Sequence, residues 1–376
     1  MYSALGECMN PTMIYAAPNP SHKRVHGGTD ALGLPEFDFS TNSNACGPCP
    51  ITQVAVMQAD ATRYPDPSYT ALRSKLAVFH GCESWRIVIA GSASEFIFRI
   101  TALAKLQGAS AVFVPPHSFG DYAHATQAWG LQLSLEAKKA GLVWHCQPSS
   151  PLGQISSDDM DVSSNAVHVL DLAYAPLQLS DSLLSFPRRR ESTSATMDSR
   201  LRGNDGLHNN PKNAVWQLYS PNKALGLTGV RAAYVIAPLG SEQMVNELSG
   251  MSASWPLGAH GVALLYSWVS ADVQNWLANN LQTLQVWKTR QIALLESLDW
   301  TCQPSDTNFF CATPKLPNLP KGLTLEQALA ALRSHGIKLR DTASFGLPGQ
   351  VRVSVQPPAA QDALQEAWQL IHKDFK

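Results

Sequence analysis

Apolar residues come in short unbroken blocks through the middle of the chain, separated by polar punctuation. Ile87-Val88-Ile89-Ala90 is apolar throughout, the pattern of a strand buried on both faces, and Gly91-Ser92-Ala93-Ser94 closes it. An apolar helical stretch runs from Phe96 to Leu106. Ala111 to Val114 reads as the next strand, stopped by Pro115-Pro116, and Tyr122 to Trp129 reads as helix. Ala166 to Leu170, ended by Asp171, Trp216 to Tyr219 and Ala232 to Ile236 give three more strands. This alternation predicts an α/β fold with a mostly parallel central sheet and helices on both faces. Ala271 to Leu298 reads as one or two long amphipathic helices. Asn308 to Thr313 and Val351 to Val355 are strand-like, with helices at Leu325 to His335 and Ala359 to His372, a smaller α+β unit. The expected organisation is an N-terminal segment (1–49) that contributes to the small domain, a large domain (50–275) and a small C-terminal domain (276–376). No internal repeat is seen.

One segment interrupts the pattern. Residues 186–210 carry Arg188, Arg189, Arg190, Arg200 and Arg202 with no apolar period. The wording from Phe186 to Ser192, with Ser199 to Asp205, resembles a translated bacterial genomic repeat. It reads as a mobile, solvated insertion without a catalytic role.

Composition narrows the class. The chain has 376 residues, 45% of them hydrophobic, enough for a large core, so a disulfide-stapled miniature is excluded. The net charge of −1 argues against a nucleic-acid partner bound through a broad basic face. No apolar run approaches the roughly eighteen residues that span a bilayer, and the N-terminus lacks a secretion pattern. A cytoplasmic protein without a membrane partner is expected. The seven cysteines are odd in number and scattered, so a disulfide framework is not expected. Cys46-Gly47-Pro48-Cys49 has the letters of a thiol redox motif, but turn-forming residues precede it where a buried strand is needed. A loop is the better reading. No second Cys or His pair at ligand spacing completes a metal site.

Three features of the alternating region suit a phosphorylated aromatic cofactor. Small residues at Gly91 to Ser94 let backbone N–H groups of a helix N-terminus approach a phosphate. Asp171 is a lone acid at a strand end, where open α/β sheets place ligands, and a pyridinium N–H would give it a cationic partner. Lys223 lies in Ser220-Pro221-Asn222-Lys223-Ala224-Leu225-Gly226-Leu227-Thr228-Gly229-Val230-Arg231. A lysine amine in a partly apolar pocket can capture an aldehyde, and the fork of Arg231 suits a phosphate dianion.

With Ser220-x-x-Lys223 and Arg231 in place, the chain resembles the fold-type-I pyridoxal-phosphate enzymes of the class I/II aminotransferase family. The branch is the one holding histidinol-phosphate aminotransferase and threonine-phosphate decarboxylase. His26-Gly27-Gly28, Asp38 to Asn44, Arg63-Tyr64-Pro65 and Gly336 to Asp341 carry the likeness further, the first two toward the decarboxylase and its cobalamin-biosynthesis relatives. The resemblance implies pyridoxal 5'-phosphate, held covalently by Lys223 with its ring nitrogen on Asp171. It implies Tyr174 and Ser150 at the ring hydroxyl and Tyr122 stacked on the ring. It places the phosphate on Ser92, Ala93, Ser220, Asn222 and Arg231, with Tyr64 supplied by the second subunit of a homodimer. Arg340, Arg352 and Asn42 are implied as substrate contacts. The sequence departs from the family at Ser150, where an asparagine is usual, at Leu172 in place of glutamate, and at Asn222 in place of serine or threonine.

The motifs specify the cofactor more closely than the reaction. The N-terminal motifs put a decarboxylase acting on a phosphorylated amino acid such as threonine phosphate first, and a histidinol-phosphate-type aminotransferase second. A non-catalytic relative and a thiol oxidoreductase are the remaining alternatives.

Overall fold

The computed structural model describes residues 27–156, 160, 162, 164–180, 214–314 and 324–374. His26 and the arginine-rich segment 186–210 lie outside these residues. A short strand, β1 (Phe37–Asp38), is followed by helices α1 (Pro50–Met57) and α2 (Thr70–His80). The central region then runs β2 (Ile87–Ala90), α3 (Ala93–Leu106), β3 (Ala111–Phe113), α4 (Gly120–Ala128) and β4 (Gln132–Ser134). It continues with β5 (Leu142–Cys146), β6 (Val167–Asp171), β7 (Trp216–Tyr219) and β8 (Ala233–Ile236).

These strands pair in the order β2-β8-β7-β6-β5-β3-β4. Every pairing is parallel except those of β8, which is antiparallel to both neighbours. The expected mostly parallel sheet is therefore present. The reversal of β8 follows from its connection: residues 220–232 carry no crossover helix, so the chain returns alongside β7 in the opposite direction. Alternate residues feed two apolar layers. Val88, Trp216, Leu218 and Val235 pack with Phe96 of α3 and Trp144 of β5 on one face. Ile87, Ile89, Tyr219 and Ile236 pack with Leu72 and Leu76 of α2 on the other. Burial on both faces is why these strands read as continuous apolar runs.

Helices α5 (Glu242–Gly250), α6 (Ala259–Trp268) and α7 (Ala271–Ser297) follow. The stretch expected as one or two helices is a single one, α7, started by Ser270, whose side chain accepts from the Val273 N–H. The remaining elements are β9 (Thr301–Cys302), β10 (Phe309–Thr313), α8 (Leu325–Ser334), β11 (Ile337–Lys338), β12 (Arg340–Asp341), β13 (Val351–Ser354) and α9 (Pro358–Asp374). Four of these strands form an antiparallel sheet, β12-β13-β10-β9, while β1 pairs in parallel with β11.

The N-terminal segment joins both parts. The Phe39 N–H donates to the Lys338 carbonyl, and the Ser354 N–H to the Phe39 carbonyl. Farther on, the Asn44 N–H donates to the Lys223 carbonyl and the Cys49 N–H to the Leu225 carbonyl. Gly47 and Gly226 make this strap possible. Gly226 has φ +68°, and a Cβ there would sit 2.9 Å from the Gly47 Cα, so a side chain would force the two backbones apart. The Cys-Gly-Pro-Cys letters thus belong to a packing turn. Cys49 is fully buried, and burial pushes the Cys46 thiol up to about 11. Neither state favours the thiolate that redox exchange needs.

Candidate active site

Strand direction decides where the site lies. The C-terminal ends of β2, β3, β5, β6 and β7 share one edge of the sheet, and the antiparallel β8 begins there. The loops carrying Ser92, Phe119, Ser150, Asp171 and Lys223 all leave from this edge, the place where open α/β sheets bind ligands. Ala90 pairs with Ala233, so Ser92, two residues past β2, and Arg231, two before β8, leave neighbouring strand ends.

Asp171 is the last residue of β6 and is only 4% exposed. Its Oδ2 accepts from the Tyr122 hydroxyl at 2.6 Å and its Oδ1 from the Ala173 N–H at 2.9 Å. Burial raises the carboxyl above its ordinary range, while these two donors and the nearby charge of Lys223 oppose the rise. Lys223 follows β7 in a loop strapped by Asn44, whose side-chain amide donates to the Ala224 carbonyl at 3.0 Å. The Lys223 Nζ lies 5.1 Å from the centre of the Tyr174 ring. Tyr174 in turn sits edge-on to Phe309 at 4.7 Å and accepts from the Asn42 amide at 3.3 Å. The Asn42 Oδ1 is buried without a partner among the described residues, a polar atom left for a ligand.

Ser92 caps α3, its hydroxyl accepting from the Glu95 N–H at 3.1 Å, and Ala93 is the first helical residue. Ser220 donates to the Asn222 Oδ1 at 3.1 Å, and both are buried. Ser150 is buried as well. Arg231 is exposed and makes no hydrogen bond or ion pair among the described residues.

The opposite wall comes from the small sheet. Arg340 and Arg352 are directly paired across β12 and β13, and both are buried. The charges of Asp341 and Asp38 act on Arg340 and Arg352 respectively, opposing the effect of burial. Arg340 donates to the Asp341 carbonyl and to the Ser344 hydroxyl, and Arg352 to the Ser40 carbonyl. Phe345 lies against both guanidinium groups, at 4.8 Å from Arg340 and 5.7 Å from Arg352. Burial and the like charge of Arg352 bring Arg340 down to about 10. The Arg352 Nε has no partner among the described residues. His117, between β3 and α4, reaches across to the Phe345 carbonyl at 2.8 Å and ties the two walls together.

One expected residue is placed differently. Tyr122 has no exposed surface, and its ring stacks on Trp144 at 4.4 Å, so it has no face left for a cofactor. The aromatic with accessible surface at this edge is Phe119, which caps α4 and meets Tyr122 edge-on at 5.8 Å. Tyr64, which the resemblance assigns to the site of a second subunit, is 78% exposed in this chain and stacks on Trp255 at 4.3 Å. Trp144, Phe119 and Trp255 were not singled out from the sequence. A short apolar run, Leu142-Val143-Trp144, was the signal that could have found the first.

A buried acid with an amine's charge nearby, a capped helix N-terminus on the same sheet edge and the unpartnered Asn42 Oδ1 fit a phosphorylated pyridine aldehyde. The fold and this donor set define a class. The aminotransferase class I and II family model matches residues 35–371, and the chain belongs to that family. Its individual relatives are distant. Histidinol-phosphate aminotransferase 2 of Pseudomonas fluorescens (strain Pf0-1) is 26% identical over 354 residues, covering 88% of this chain and 87% of that protein. The structure of histidinol-phosphate aminotransferase from Sinorhizobium meliloti in complex with pyridoxal-5'-phosphate superposes with a TM-score of 0.72 at 20% identity, covering 89% of this chain and 90% of that one. L-threonine-O-3-phosphate decarboxylase from Porphyromonas gingivalis gives 0.68 at 17% identity, over 89% and 99% of the two chains. Among the described residues no helix is long and apolar enough to cross a membrane.

Proposed function

We propose that this chain is a pyridoxal 5'-phosphate enzyme that transfers the amino group of a phosphorylated amino compound, in the manner of histidinol-phosphate aminotransferase. The single observation that carries the reading is the buried Asp171 carboxyl, at the end of β6, within electrostatic reach of the Lys223 amine on the loop after β7. When bound, the cofactor supplies an electron sink that labilises bonds at the substrate's α-carbon. Asp171 holds the ring nitrogen protonated, and Tyr174 and Ser150 bond the ring hydroxyl, Ser150 with a shorter reach than an asparagine. Phe119 covers the ring face. Backbone N–H groups at Ser92 and Ala93, with Ser220, Asn222 and Arg231, hold the phosphate. Lys223 would hold the cofactor's aldehyde carbon through its ε-amine and is the base that would move a proton at the substrate's α-carbon. Arg340 and Arg352 bind the substrate's anions, and Asn42 orients the bound molecule.

Decarboxylation of a phosphorylated amino acid is the second reading. Asp38 to Asn44, the segment most like the decarboxylase branch, supplies Asn42 and the Ser40 carbonyl that bonds Arg352. Two buried guanidiniums also match a substrate bearing both carboxylate and phosphate. Purified protein incubated with histidinol phosphate and 2-oxoglutarate separates the two: glutamate formation supports amino transfer. Carbon dioxide from threonine phosphate, with no glutamate formed, would establish the second reading and place the chain beside the cobalamin-biosynthesis enzymes. Neither product would sink both.

A cytoplasmic homodimer belongs to the same proposal. Ile51, Val54 and Met57 expose one apolar stripe of α1, and Tyr64 and Trp255 are also exposed, a surface suited to a second copy. Light scattering that gives twice the monomer mass supports the dimer, and a monomer mass refutes it.

A further inference from the structure

We infer that Tyr122 is a positioning residue that acts through Asp171, its hydroxyl keeping the carboxylate ionised so that the shared proton stays on the cofactor's ring nitrogen. The inference rests on the pyridoxal-phosphate reading and assigns Tyr122 a task other than ring stacking. The hydroxyl is aimed by packing: Trp144 stacks on the Tyr122 ring with a 12° interplanar angle, and Phe119 meets it edge-on. With no exposed surface the residue has little freedom to turn elsewhere. Its oxygen lies 2.6 Å from Oδ2, a charge-assisted bond to an acid that is itself buried.

The groups facing Asp171 are few. Tyr122 comes from α4, Cys146 from its register partner position on β5, and Lys223 from the loop after β7, with the Ala173 N–H on the turn. Burial pushes the Cys146 thiol well up, so it stays neutral and adds no negative charge at neutral pH. Lys223 is committed to the aldehyde when the cofactor is bound. Among the described residues, Tyr122 is then the one side chain that donates a hydrogen bond to the carboxylate. Remove its hydroxyl and a buried carboxylate loses half of its fixed donors, becomes a stronger base, and draws the proton away from the ring nitrogen. Phenylalanine keeps the ring and the Trp144 stack, so the substitution removes the hydroxyl alone.

The test uses pyridoxal 5'-phosphate labelled with 15N in the ring, bound to wild type, Tyr122→Phe, Asp171→Asn and the double variant. The 15N chemical shift reads ring protonation, and fluorescence titration reads cofactor affinity. Wild type should show the protonated resonance. Tyr122→Phe should move it toward the unprotonated position and weaken binding about tenfold. In the Asp171→Asn background the same change should do neither. An unmoved resonance in Tyr122→Phe overturns the inference, as does an equal loss of affinity in the Asp171→Asn background, which would mark a purely structural role. Failure of wild type to take up the cofactor overturns the functional reading and this inference with it.

Discussion

The two walls of the site treat buried charge in opposite ways. On the wall built by the seven-stranded sheet, Asp171 is answered: each carboxylate oxygen has a donor, and an amine stands nearby. On the small-sheet wall, Arg340 and Arg352 are buried side by side, and the like charge of Arg352 weighs on Arg340. A buried acid with its partners in place is a permanent fixture, built for a group that stays. Two adjacent buried cations repel each other in the empty protein, and the cost of desolvating both is only partly returned by Asp341 and Asp38. That cost is relieved when an anion arrives. The first wall therefore suits a resident cofactor and the second a substrate that comes and goes.

Substitutions break this contrast in order of effect. Asp171→Asn should lower turnover on the order of 10³-fold while leaving the substrate KM within a few-fold of wild type, because it weakens the electron sink and leaves the anion site intact. Steady-state kinetics check it, and a rise in KM with unchanged kcat would reverse the assignment of the walls. Arg340→Gln should do the opposite, raising KM about 10- to 100-fold with a smaller loss of kcat.

The smallest effect concerns a support of the second wall. Lys288 of α7 is buried and donates to the Ser305 and Thr307 carbonyls, holding the turn that leads into Phe309. Burial lowers its value from 10.5 to about 8. Between those values the folded chain has released the proton while the unfolded chain still binds it. Stability should therefore rise as pH goes from about 8 toward 10.5, with the full penalty of the buried charge present below 8. The rise is on the order of 3 kcal/mol, and Lys288→Met should lack it. Urea unfolding of both proteins at matched pH reads the difference in slope, and parallel profiles would refute it.

Much of this arrangement was legible in the residues. Strands buried on both faces announce themselves as apolar runs, so β2, β6, β7 and β8 were read closely, and Asp171 and Lys223 stood out at the ends of β6 and β7. What escaped has physical causes. Strand β4 is an edge strand with exposed residues and no apolar run, and β5 ends in His145 and Cys146, which blur its pattern. Missing β5 hid Trp144, and without Trp144 nothing indicated that the Tyr122 ring was already stacked. The direction of β8 is a property of the connection and not of its own four residues. Helices α1 and α2 were not read, α1 because an apolar helix with an exposed face has no clean polar side.

The central claim is that the Lys223 amine and the Asp171 carboxylate hold one pyridoxal 5'-phosphate between them. The most direct measurement is to incubate the purified protein with that cofactor, reduce with borohydride, digest and locate the modified peptide by mass spectrometry. The account predicts one phosphopyridoxyl group per chain, on Lys223, and much reduced labelling in Asp171→Ala. Modification at other lysines with Lys223 untouched, or none at all, would contradict it.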